Sequence, residues 1–198
     1  MVTISDRTSV LQGALFYYGR LLGNGTQALR QVQKALAAEP IERVLDFGCG
    51  TGGFCQAVPG PYLGIDLDPH YLAFARWRWG STDRRFEALS LETLPAVESF
   101  EKAMLINCVH HLSDDAAQQI LGELARRVRR RLVVVDADPS RSNWLQSWLL
   151  AHDRGEYIRR PEQIRALLAR HFTVIDEWIF PNNLHTVVQI VFVCEPKT

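Results

Sequence analysis

Apolar positions along the chain follow two rhythms, helical at the start and then alternating between strand-like and helix-like. Residues 10–22 carry Leu11, Leu15, Phe16, Tyr18, Leu21 and Leu22 at helical spacing, and Gly23-Asn24-Gly25 interrupts the pattern. The spacing predicts one helix up to this break and a second from 26 to 38, with Leu29, Val32 and Leu36 on one side and Pro40 beyond its end. From there short apolar runs predict strands at 43–47, 62–66, 85–89, 103–106 and 132–135. Between them, Asp68-Pro69 starts a helix that stops near Gly80, and Ser113-Asp114-Asp115 starts another carrying Ile120, Leu121, Leu124 and Val128. A longer helical stretch spans 143–171, interrupted near Gly155 and restarted at Pro161. Strands at 172–180 and 186–194 close the chain.

Strand-helix alternation predicts a doubly wound, mostly parallel α/β sheet of seven strands. The run at 103–106 is apolar throughout, as a parallel strand covered on both faces should be. No helix separates the last two strands, so they are expected as an antiparallel hairpin at one sheet edge. The whole of 1–198 reads as one domain, with 1–40 a helical lid and 41–198 the α/β core.

Composition narrows the partners. The 198 residues carry 22 Lys+Arg against 22 Asp+Glu, and a zero balance disfavours a global grip on nucleic acid or an anionic membrane surface. No apolar run approaches a membrane span, and the start has no basic segment followed by an apolar one. Cys49, Cys55, Cys108 and Cys194 contain no C-x-x-C pair, so no zinc site or disulfide framework is implied, and a reduced, cytoplasmic protein is expected. The run 126–131 holds five arginines and is expected as a solvated face at a helix C-terminus.

The most informative segment is Val44-Leu45-Asp46-Phe47-Gly48-Cys49-Gly50-Thr51-Gly52-Gly53. Gly48, Gly50 and Gly53 fit G-x-G-x-x-G after a strand, a pattern that alone suggests a dinucleotide. Asp46 argues otherwise, because a carboxylate leaving the strand there would repel a pyrophosphate and attract a cation. Asp66, twenty residues later, stands where an acid can accept hydrogen bonds from both ribose hydroxyls. The two acids together favour a nucleoside with a cationic tail and no phosphate. S-adenosylmethionine has that chemistry.

At this point the sequence resembles a family. VLDFGCGTG followed by YLGIDLD is similar to the first two motifs of class I S-adenosylmethionine-dependent methyltransferases, while AMLINCVHHLSDD and RLVVVDADP look like their fourth- and fifth-strand segments. The resemblance covers 41–138 by motif and implies a Rossmann-like fold with an antiparallel C-terminal strand and N-terminal lid helices. It implies that Asp46 and the backbone of Gly48, Cys49, Gly50 and Gly52 hold the methionine end of the cofactor. Asp66 would hold the ribose, Leu67 would pack on the adenine, and Asn107 would line the sulfonium. Where the family has an Asp after the third strand this chain has Ser90, so the Leu91 N–H would carry more of the adenine recognition.

For the acceptor, His110 is the candidate general base, since it follows the fourth strand at the ligand-binding edge and imidazole titrates in the right range. Tyr17, Tyr18, His111, Trp144, His152 and Arg159 are the candidate acceptor-pocket residues. Asp136 and Asp138 either orient the acceptor or cap the following segment. The fourth strand ends in Asn107-Cys108 without an acid, so no metal is implied. The expected activity is methyl transfer to a hydroxyl, amine or activated carbon of a small molecule, with no nucleic-acid partner. An RNA methyltransferase, a non-catalytic S-adenosylmethionine-binding module and an NAD-dependent oxidoreductase remain open on these residues.

Overall fold

The computed structural model describes residues 4–95, 97–141, 156–183 and 187–197, with the backbone alone at 4–7, 16 and 19–25. Its sheet has seven strands: β1 (Val44–Phe47), β2 (Tyr62–Ile65), β3 (Arg84–Glu87), β4 (Phe100–Ile106), β5 (Val128–Ala137), β6 (Phe172–Pro181) and β7 (Val188–Pro196). Their order is β3-β2-β1-β4-β5-β7-β6. The first five are parallel, and β7 runs antiparallel between β5 and β6, so the closing hairpin sits at one edge as expected.

Alternate residues of each strand feed two apolar layers, which is why the strands read as unbroken apolar runs. Leu45, Leu63, Leu105, Leu132, Val134 and Phe192 pack under α3 (Asp114–Arg127) and α4 (Pro161–Leu168). Val44, Tyr62, Met104, Val133, Val135 and Val191 pack on the other face, with Ala28, Val32 and Leu36 of α1 (Ile4–Leu36) and Leu72 and Ala75 of α2 (Pro69–Trp79). Asp46 shares its parity with Val44 and therefore points into this second layer.

One expectation fails here and another holds only in part. The N-terminal region is one helix of 33 residues, not two. Two glycines in a helix cost about 1 kcal/mol each relative to Ala, but α1 is anchored on both sides of them. Before the break, Gly13 lies so close to α2 that a Cβ would meet Phe74 Cβ at 2.5 Å. After it, Ala28, Val32 and Leu36 are buried against the sheet.

The arginine run is solvated at Arg126, Arg129 and Arg130, 60–68% exposed, but it is not one helix face, because the helix ends at Arg127 and β5 begins at Val128. Arg127 donates to the carbonyls of Leu91, Leu94 and Pro95, and Arg131 to those of Ala35 and Leu36 at the end of α1. Arg126, Arg129 and Arg130 pair with Glu123, Glu101 and Glu42. The stretch fastens three distant segments to the start of β5.

The two sequence-visible caps form as their residue types require. Asp68 accepts from the N–H groups of His70 and Tyr71 ahead of Pro69, and Ser113 accepts from Ala116 N. Among the described residues, no helix is long and apolar enough to cross a membrane.

Candidate active site

The chain leaves β1 through a loop whose glycines have distinct tasks. Gly48, Gly50 and Gly52 all have positive φ, at 72°, 52° and 74°. A Cβ on Gly52 would strike Phe86 Cε1 at 2.5 Å, so this residue closes the loop against β3. A Cβ on Gly50 would meet nothing within 4 Å, so its backbone faces open space. The Gly48 and Cys49 amides donate to the Ile65 carbonyl at the end of β2, and Trp79 Nε1 donates to Thr51 O. After Gly52 the chain makes only a short 3-10 turn, Gly53–Ala57.

Asp66 links the two strand ends. Its Oδ2 accepts from Gly50 N at 2.7 Å and its Oδ1 from Asp68 N at 2.9 Å. Asp46 is 1% exposed and accepts from Tyr62 Oη at 2.6 Å. Burial, reinforced by the nearby Asp66 charge and only partly offset by the Tyr62 hydrogen bond, pushes the Asp46 carboxyl up to about 7.

These groups wall a cleft of about 630 Å³ at the C-terminal edge of the parallel strands, a volume within the range of small-molecule sites. Of the expected cofactor residues, Asp46, Gly48, Cys49, Gly50, Asp66, Leu67, Ser90 and Asn107 line it. Gly52 does not, since its task is to pack against Phe86. The Leu91 side chain is buried in the core, and its carbonyl is held by Arg127. Ser90 is fixed by Thr93, whose Oγ1 accepts from Ser90 N and donates to Ser90 O.

Asn107 lies beyond β4 with φ 53°, a left-handed conformation that Asn tolerates better than most residues. Its Oδ1 accepts from Gln189 Nε2 at 2.7 Å, leaving Asn107 Nδ2 and Gln189 Oε1 buried without a hydrogen-bond partner. Strained backbone and unmade hydrogen bonds are commonest at functional sites.

The histidine pair divides, one imidazole held below the cleft and the other standing in its wall as expected for an acceptor-pocket residue. His110 is 7% exposed; its Nδ1 lies 2.6 Å from Asp136 Oδ1, and its backbone N–H donates to Asp136 Oδ2. It does not line the cleft, whereas His111 does, with Leu112 beside it. The physical reason is the 3-10 turn Val109–His111, where successive side chains are about a third of a turn apart. Asp136 is therefore engaged below the site, and Asp138 caps the next turn by accepting from Ser140 N and Oγ.

Arg159, expected in the acceptor pocket, also lies elsewhere. It is buried and binds the carbonyls of Val109, Leu112 and Tyr157 and the carboxylate of Asp114, so it fastens the turn that carries His111. Tyr17 lines the cleft and packs on Phe74 and Trp79, with ring centroids 5.3 and 5.9 Å away. Tyr18 meets Tyr17 edge-on and points outward, 55% exposed. Trp144 and His152 lie outside the described residues. Thr26, Leu29, Phe54 and Tyr71 also line the cleft and were not expected. Leu29 had a visible signal in its place on the inner side of α1, while the others lacked one.

Among the described residues, the cleft is lined by Asp46, Asp66 and Asp68 and by no Lys or Arg. No group of three or more His, Cys, Asp or Glu among the described residues is arranged to hold a metal ion. The acidic side chains of this wall suit a cationic ligand group better than a pyrophosphate.

Residues 44–131 match the family described as methyltransferase domain. That match places a methyltransferase domain from β1 to the start of β5, and the sheet order and cleft are those expected of the class I S-adenosylmethionine-dependent methyltransferase fold. Similar solved structures include N-methyltransferase NodS from Bradyrhizobium japonicum WM9 in complex with S-adenosyl-L-homocysteine, at 14% identity and TM-score 0.73, covering 90% of this chain and 91% of that one. Geranyl diphosphate C-methyltransferase from Streptomyces coelicolor A3(2) is similar at 12% identity and TM-score 0.71, covering 87% and 76%. Magnesium protoporphyrin IX methyltransferase from Synechocystis PCC 6803 is similar at 16% identity and TM-score 0.65, covering 86% and 82%. No curated protein sequence matches the chain.

Proposed function

We propose that the enzyme methylates a hydroxyl, amine or activated carbon of a small molecule, with 1–198 acting as one domain and α1 as the cover of the cleft. The observation that carries this reading is that one cleft of small-molecule size joins the cofactor residues to an apolar, aromatic wall of Tyr17, Leu29, Phe54 and Leu112. Two of the neighbours act on small molecules by their names, magnesium protoporphyrin IX and geranyl diphosphate, and Arg127 and Arg131 of the arginine run are engaged with backbone carbonyls.

The cofactor supplies an electrophilic methyl group on a sulfonium. The protein's own task is then to hold an acceptor in line and keep water away from it. Asp66 holds the ribose, and Asp46 with the backbone of Gly48, Cys49 and Gly50 holds the methionine end, Asp46 meeting its cationic group. Ser90 and Leu67 border the adenine position, and Asn107 borders the sulfonium. His111 is the side chain placed to take a proton from an acceptor hydroxyl, and His110 serves through its hydrogen bonds to Asp136.

The test is incubation with methyl-labelled S-adenosylmethionine and panels of small phenols, amines and total RNA. Label in a small-molecule product, lost in His111→Ala for a hydroxyl acceptor, supports the reading. Label found only in RNA overturns it.

A further inference from the structure

Asp46 stands on the cleft wall yet is 1% exposed, and no Lys or Arg among the described residues pairs with it. Among the described residues, the titratable groups that act on it supply no positive charge. Tyr62 faces it from β2, Asp66 from beyond that strand, Cys49 and Cys55 from the loop and turn after β1, and Cys108 from beyond β4. Arg78 and Arg84 lie on the Cys55 side of this group and act to lower the pKa of that thiol. Among the described residues one hydrogen bond reaches the carboxyl and stabilises its ionised form, from Tyr62 Oη to Asp46 Oδ2, so that Oδ1 is the oxygen a ligand would meet.

Tyr62 is itself 3% exposed, and its ring packs on Phe86 with centroids 5.3 Å apart. The ring therefore has a place in the core that does not need the hydroxyl. The hydroxyl is a separate feature, aimed along the strand at the one carboxyl that meets the cofactor's cationic end.

We propose that Tyr62 is a positioning residue for cofactor binding, holding Asp46 ready to ionise, and that the cationic end of the cofactor takes the place of a proton that Asp46 releases to solvent. The proposal rests on the cleft being the S-adenosylmethionine site. It predicts that cofactor affinity is set by pH through Asp46, in a window placed by burial and by the Tyr62 hydrogen bond near pH 7. Below that window the cofactor must displace a proton, and affinity falls toward tenfold per pH unit, as linkage requires.

The experiment is calorimetric titration with S-adenosylhomocysteine from pH 6 to 8.5, in two buffers of different ionisation enthalpy. The intact protein should release close to one proton at pH 6, about half a proton near pH 7 and almost none at pH 8.5. Tyr62→Phe keeps the ring and loses the hydroxyl, so its affinity curve should move about one to two units to higher pH and recover at the alkaline end. Asp46→Asn should bind more weakly, with a flat profile and no proton release. The ligand's own ionisation is common to all three proteins and drops out of the comparison.

A purely structural tyrosine would weaken binding by the same factor at every pH, and that parallel curve would overturn the proposal. Flat affinity in the intact protein, with no proton released, would overturn it as well. Failure to bind at any pH would overturn the reading of the cleft itself.

Discussion

Arg159→Met removes a buried guanidinium that holds the turn behind the acceptor side of the cleft, and the cost can be worked from its bonds. Nη1 donates to Val109 O at 2.9 Å and Tyr157 O at 3.1 Å, Nη2 to Leu112 O at 2.6 Å, and Nε and Nη2 to Asp114 Oδ1 at 2.9 and 2.7 Å. Asp114 is 77% exposed and rehydrates when its partner leaves, so the ion pair contributes less than about 1 kcal/mol. The three carbonyls matter more. Each acceptor left unmade costs about 1 kcal/mol at the low end of the range, and the Tyr157 carbonyl recovers part of that from water. The sum is about 3 kcal/mol, a large share of the roughly 5–15 kcal/mol that holds a domain together.

Urea denaturation should show this as a midpoint lower by roughly 1–2 M at an m-value of about 2 kcal/mol/M. Asp114→Asn should move the midpoint by less than a quarter of that. Arg159→Lys should fall between, because an ammonium cannot reach both sides of the turn at once. A midpoint for Arg159→Met within about 1 kcal/mol of the intact protein would refute the assignment of Arg159 as the fastening of this turn.

The other predictions are narrower. Gly52→Ala forces a Cβ onto Phe86 at a φ of 74° and should cost roughly 2–4 kcal/mol in denaturant unfolding; Gly50→Ala meets no atom and should cost only about 1 kcal/mol while weakening S-adenosylhomocysteine binding at least tenfold. Because the folded protein raises the Asp46 carboxyl from 3.8 to about 7, it binds more protons than the unfolded chain in this window, so stability falls as pH rises through it. Asp46→Asn lacks this penalty, and its advantage over the ligand-free intact protein should grow by roughly 2–3 kcal/mol between pH 5 and 8.5. His110→Ala should lower the urea midpoint, because it leaves the buried Asp136 carboxylate without its imidazole partner. His111→Ala should unfold at nearly the native midpoint and lose turnover on a hydroxyl acceptor.

The gathering of Asp46, the loop glycines and Asp66 at one cleft was legible because these residues are local in sequence. Asp46, three positive-φ glycines and Asp66 lie within 21 residues, and each glycine has the residue type its backbone demands. The hairpin at the sheet edge was legible for a similar reason, since two strands without a helix between them have few ways to pair. What was missed depends on interactions between distant segments. Gly23 and Gly25 read as a stop by propensity, but packing on Phe74 before them and on the sheet after them keeps α1 continuous. Arg130 and Arg131 reach partners 88 to 96 positions away, which a local charge pattern does not reveal. The placement of His110 outside the cleft turns on a single 3-10 turn, where a one-residue offset decides which imidazole faces the cleft.

The most direct measurement is titration of the intact protein with S-adenosylhomocysteine at pH 8, where Asp46 is ionised. The cleft as described predicts micromolar binding at one site per chain, abolished in Asp66→Ala with the fold confirmed by its melting profile. A folded protein that gives no heat of binding with S-adenosylhomocysteine, or that binds NADH in its place, would contradict the account.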